Sequence, residues 1–188
     1  MDVFDFNVHL YHKTPLDINV GIVADTNLDC HNLEVNLEHF KPHIIEHNWA
    51  NNFMLFNQQI MFEDKANLDR FFGFLQRDFK TSIVTLLLDF RSPKVSEIID
   101  KAVEYGIKAV KFHSYIQRIS EVDFPAVLKA AQYAESKGLF FCIDASYGTI
   151  NLYKYDNLKL VAYLADFITK APIVILHSGG LRCMEALL

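Results

Sequence analysis

The residues able to do chemistry gather at the ends of apolar runs. One run closes on Asn7-Val8-His9, another on Asp89-Phe90-Arg91, and a third on Lys111-Phe112-His113. Two more end in Asp144-Ala145-Ser146 and in His177-Ser178-Gly179-Gly180. Imidazoles, carboxylates and an ammonium converging at one mouth supply an acid/base pair or a set of ligands for a divalent metal. Side chains two apart on a strand share a face, so Asn7 with His9, Lys111 with His113, and Cys142 with Asp144 each point together. A guanidinium such as that of Arg91 can grip a substrate carboxylate with two parallel hydrogen bonds.

The elements that must position these groups alternate between short aliphatic runs and longer helix-period segments. The runs are Val3–His9, Asn52–Asn57, Ser82–Leu88, Ile107–Phe112, Leu139–Ile143 and Ile173–Leu176. Continuous apolar runs bounded by turn residues suit strands buried on both faces, as in parallel sheets. Helices are expected over 64–78, 93–106, 124–138 and 157–170, with Pro93 in a first turn, Asp123 as an N-cap, and Gly106 and Gly138 as left-handed C-terminal caps. Leu33–Trp49 has helical period interrupted by Pro42. From the second run onward the strand starts lie near the ~30-residue spacing of a βα unit. The fold class is therefore α/β: a doubly wound open sheet or a (β/α) barrel. No GxGxxG follows the first strand and no GxxxxGK[ST] occurs, which leaves the nucleotide folds unsupported.

Three of the strand ends carry a resemblance. The opening DFNVHL (5–10), the segment GIKAVKFHSY (106–115) and PIVILHSGG (172–180) resemble, in order, the first, fourth and sixth strands of the amidohydrolase superfamily. The resemblance implies a TIM-barrel scaffold, with about six of its eight βα units in residues 1–188 read as one domain. It also implies a hydrolase in which a metal-activated water attacks an amide, lactone or related carbonyl. On the matching positions His9 and Asp144 would be ligands, His177 would ligate or orient water and stabilise the oxyanion, and Lys111 would be a ligand or an electrostatic aid. His113 lies just beyond the fourth-strand position as a further catalytic candidate. Arg91, Asn7 and Tyr147 would hold substrate.

Departures from the family pattern redirect the chemistry. Asn7 stands where the first histidine is expected, and a neutral amide oxygen is a poor substitute for imidazole. Asp144 or Cys142 replaces the fifth-strand histidine, which moves the expected ion from Zn²⁺ toward Mn²⁺ or Mg²⁺. The family's seventh and eighth strands and its eighth-strand Asp are missing from the 188 residues, so the expectation is a fragment, an open six-stranded variant, or a barrel completed by another subunit, with a homo-oligomer as a further expected assembly. Two rival functions follow: a lactonase or decarboxylase-like enzyme with no metal, using His177 and Arg91 to polarise the substrate carbonyl, and an inactive binding or regulatory module on the same scaffold.

Composition bounds the rest. Hydrophobic residues make up 51% and charged residues 22% of the chain, a globular core composition that excludes a disordered chain. A net charge of −5 argues against a nucleic-acid partner. No apolar stretch approaches the ~20 residues of a membrane helix, and the start has no basic region before an apolar one, so the expected setting is cytoplasmic with a small-molecule substrate. Cys30, Cys142 and Cys183 form no CxxC and show no activating partner, so neither a disulfide framework nor a thiol nucleophile is expected. His39, His43 and His47 recur at helical spacing without an HExxH and read as a solvated face. Asp5 reads as a structural anchor, Asp89 as an ordinary ion-pair partner for Arg91, and the phenylalanines of FFGFL as a packing stripe.

Overall fold

A computed structural model describes residues 4–10, 41–42, 50–55, 58–114, 116–145, 155 and 157–177. The chain forms two compact units, residues 1–86 and 87–188.

In the first unit, β1 (Phe4–Leu10) and β2 (Ala50–Leu55) run parallel, and β2 pairs in parallel with β3 (Ile83–Leu87). The β1 register slips between Asp5, opposite Asn51, and Val8, opposite Phe53, so Asn7 lies within an irregularity of the ladder. Between β2 and β3 the chain makes a 3₁₀ turn (Gln58–Phe62) and α1 (Lys65–Asp78). Asp64 caps α1 by accepting the Asn67 N–H at 2.8 Å, and Leu68, Phe71, Phe72 and Leu75 bury one helix face. That 3–4 spacing is what an amphipathic helix needs to cover a sheet. Phe53 of β2 meets Phe79, just past α1, edge to face at 5.3 Å between centroids. Asn52, whose neighbours along the strand point the other way, is fully buried and accepts from the Thr85 hydroxyl at 2.8 Å.

The second unit holds α2 (Val95–Glu104), β4 (Ala109–His113), a 3₁₀ turn (Glu121–Asp123), α3 (Phe124–Ser136), β5 (Phe140–Asp144), α4 (Asn157–Ala165) and β6 (Ile173–Leu176). The strands β4, β5 and β6 pair in parallel and in chain order, every connection crossing over through a helix. Parallel strands require such crossovers. All five residues of β4 are buried, as expected of a strand covered on both faces. Gly106 and Gly138 adopt φ of 78° and 79° after α2 and α3, and the Ile107 N–H reaches back to the Ala102 carbonyl. A Cβ is disfavoured in that left-handed region, which is why glycine stands there.

Two helix starts differ from expectation. Pro93 precedes α2, whose flanking residue is Lys94. Asp123 does not cap α3 by itself: its carboxylate accepts from the Ser120 N–H and hydroxyl, forming with Ser120 a reciprocal capping box around the 3₁₀ turn. No helix among the described residues is long and apolar enough to cross a membrane.

Candidate active site: a buried carboxylate shared by two imidazoles and an ammonium

The centre of the second unit's polar cluster is Asp144, the last residue of β5. Parallel pairing sets His113 of β4 directly opposite Asp144, Lys111 opposite Cys142, and Leu176, the residue before His177, on the other side of Asp144. The alternation of β4 therefore sends Lys111 and His113 to the same face, and both reach one carboxylate oxygen. Asp144 Oδ2 lies 3.1 Å from His113 Nε2, 3.2 Å from His177 Nε2 and 3.6 Å from Lys111 Nζ. Lys111, His113 and Asp144 are buried, whereas the His177 side chain remains 40% exposed. One face of the cluster is dry and the other opens through an imidazole.

Burial pushes the Lys111 ammonium below its ordinary value, and the neighbouring Asp144 charge, with Cys142 behind it, offsets part of that shift. Desolvation thus outweighs ion pairing at this lysine. His177 adopts φ 58°, a left-handed conformation uncommon for a residue with a Cβ and frequent at functional positions. The backbone there turns the ring back onto Asp144 as the strand ends.

The loop after β4 is tied down by side chains that sequence patterns do not single out. The Gln117 side chain accepts the His113 N–H and donates to the Leu88 carbonyl, both at 2.8 Å. Arg91 donates to the Gln117 and Arg118 carbonyls at 3.0 and 3.4 Å, pairs with Asp123 at 3.0 Å, and stacks 4.2 Å from the Phe90 ring centroid. Its ion-pair partner is Asp123 rather than the expected Asp89, whose carboxylate instead accepts the Arg91 N–H. With these donors committed, Arg91 braces the loop. A glutamine four residues beyond a strand carries no compositional signal, so Gln117 was not visible as a site residue.

Of the sequence candidates, Lys111, His113, Asp144 and His177 come together. Asn7 and His9 lie on β1 in the other unit, described by their backbone alone. Tyr147, the histidines 39, 43 and 47, and the Gly179-Gly180 pair lie outside the described residues. Cys142 is a buried cysteine that forms no disulfide among the described residues.

The donor set allows a test of the metal expected from the resemblance. A ligating imidazole offers a nitrogen lone pair to the ion, whereas a ring that donates to a carboxylate places an N–H at that position, and both Nε2 atoms here stand within hydrogen-bond distance of Asp144 Oδ2. An ammonium on the same oxygen would repel a divalent cation. Asp144 and His177, as placed, suit a hydrogen-bonded acid–base centre.

Comparison with known proteins shows the fold. Over its whole length the chain superposes on 64% of a probable 2-pyrone-4,6-dicarboxylic acid hydrolase from Acinetobacter baumannii, solved with citric acid bound, with a TM-score of 0.62 and 14% identity. This is a TIM-barrel-like α/β fold. The chain thus spans under two thirds of the length of that hydrolase. A protein assigned as a fructose-1,6-biphosphate aldolase from Coccidioides immitis matches with a TM-score of 0.48 and 10% identity, over 94% of this chain and 65% of that one. No family model and no curated protein matches the chain.

Proposed function

We propose that the chain carries the acid–base centre of a hydrolase acting on a lactone or related carbonyl, without a metal ion as the source of the nucleophile. The observation that carries this reading is the single Asp144 oxygen approached by His113 Nε2, His177 Nε2 and Lys111 Nζ. A neutral His177 that donates Nε2–H to Asp144 keeps Nδ1 as its acceptor. The carboxylate fixes that tautomer and stabilises the imidazolium formed when the ring takes a proton.

Hydrolysis then proceeds with His177 as general base. The ring removes a proton from water as the water oxygen bonds to the carbonyl carbon. The imidazolium returns the proton to the leaving alkoxide as the ring C–O bond breaks, which restores the starting charges. His113 and Lys111, on the dry side, hold Asp144 in place. The TIM-barrel-like fold and the likeness to a protein named for hydrolysing a 2-pyrone, a cyclic ester, support the same reading, as does the resemblance of its strand ends to the amidohydrolase superfamily.

The test is hydrolysis of a panel of aromatic and aliphatic lactones by the purified chain, with Asp144→Asn and His177→Asn beside it. The reading expects turnover of at least one lactone, lost by ~10²–10⁴ in both variants. Binding of lactones without turnover would favour the regulatory module, and turnover that appears only on adding a divalent ion would favour the metal-dependent enzyme.

A further inference from the structure

Gln117 occupies a place that a backbone hydrogen bond should fill. In a parallel ladder one residue bonds to two on its neighbour, its N–H to one carbonyl and its own carbonyl to the N–H two residues further on. Leu88 makes the first of these, its N–H reaching the Lys111 carbonyl at 3.1 Å. The second should run from the His113 N–H to the Leu88 carbonyl. Instead the Gln117 amide stands between them, its Oε1 taking the His113 N–H and its Nε2 donating to the Leu88 carbonyl, both at 2.8 Å. A primary amide offers one acceptor and two donors, so it can be inserted into a ladder with neither backbone group left unpaired.

The insertion is braced from behind. The Gln117 N–H returns to the His113 carbonyl at 2.8 Å and the Ile119 N–H to the Ser114 carbonyl at 2.7 Å, closing a tight loop. Arg91 grips the Gln117 and Arg118 carbonyls while Asp123 balances its charge. Arg118 takes φ 52° to complete the turn.

We infer that Gln117 is a positioning residue: its amide wedges the rim open beside His113 and so sets where that imidazole meets Asp144. The wedge is placed on the backbone N–H of His113, whose own side chain touches the shared carboxylate. Its consequence for turnover rests on the hydrolase reading above, and its consequence for the imidazole does not. Without the amide, the His113 N–H and Leu88 carbonyl close on each other and draw the ring away from Asp144. With glutamate in its place, the acceptor for His113 is kept and the donor for Leu88 is lost.

The experiment compares Gln117→Leu, Gln117→Glu and, as an exposed control, Lys137→Ala. The first readout is the ring ¹³Cε1–¹H signal of His113 in protein labelled at histidine, assigned by its disappearance in His113→Gln. The second is kcat and KM for dihydrocoumarin as the probe lactone. Gln117→Leu is expected to move the His113 signal and to lower kcat about tenfold or more with KM nearly unchanged, since sub-ångström misplacement of a reacting group acts on the chemical step. Gln117→Glu is expected to fall between Gln117→Leu and the wild type, and Lys137→Ala to match the wild type. An unmoved His113 signal in a folded Gln117→Leu or Gln117→Glu protein overturns the inference. A wild type inactive on dihydrocoumarin counts against the hydrolase reading alone, and the ring signal still decides the role of Gln117.

Discussion

Replacing Asp144 by Asn removes the charge that answers a fully buried ammonium. At the observed 3.6 Å between Lys111 Nζ and Asp144 Oδ2, the attraction is about 5 kcal/mol for an effective dielectric constant of about 20. Breaking such a pair from one side costs about 3–5 kcal/mol, because the remaining charge has no route to water. Lys111→Met is the milder change, for it removes the ammonium together with its burial cost and leaves Asp144 with two imidazole donors. The double variant should therefore be less destabilised than the two single costs added together, by about 2 kcal/mol. Urea unfolding followed by circular dichroism measures all four corners of the cycle, and unchanged m-values would show that the difference lies in stability rather than in the denatured ensemble. Costs that add within about 0.5 kcal/mol would refute the direct coupling of Lys111 to Asp144.

The half-exposed His177, at φ 58°, is expected to serve function at no benefit to stability. His177→Gly should abolish the turnover assigned to it while keeping stability within about 1 kcal/mol, since relief at a left-handed residue offsets glycine's greater freedom when unfolded; a loss of several kcal/mol in the melt would contradict this. Gly73 sits exposed in α1 with nothing within 4 Å of an added Cβ, so Gly73→Ala should stabilise by ~0.5–1 kcal/mol, read as a higher urea midpoint. In the first unit, hydrogen bonds from Arg77 and then Lys41 hold the Asp78 carboxyl at about 2 against an ordinary 3.8. A carboxylate depressed on folding gives stability that is complete above its unfolded value and is lost as pH falls through the folded one. Melting temperature should thus drop more steeply between pH 4 and about 2 in the wild type than in Asp78→Asn, and parallel curves would remove this contribution.

Much of the scaffold was legible because its periodicities are strong. The six apolar runs correspond to β1–β6 within a few residues, and Gly106 and Gly138 sit where a helix must turn through positive φ. The meeting of His113 with Asp144 followed from two parallel strands each ending in a polar residue, because the strand ends define a common rim. Direction was harder to read. A lysine at a strand end usually snorkels outward, and only the register that sets Lys111 opposite Cys142 sends its ammonium inward to Asp144. Asp89 was the expected ion-pair partner of Arg91 because sequence proximity was the only guide, whereas the observed partner Asp123 follows α2 and β4 in the chain. Gln117 was out of reach because its role depends on a ladder bond that fails to form, and local composition does not record that.

The most direct test of the acid–base centre is the protonation of its imidazoles, read from ¹⁵N shifts and two-bond ¹H–¹⁵N couplings in histidine-labelled protein. Hydrogen bonding to Asp144 predicts that Nε2 of both His113 and His177 carries a proton at neutral pH. An unprotonated Nε2 on either ring, the form that ligates a divalent ion, would contradict the account.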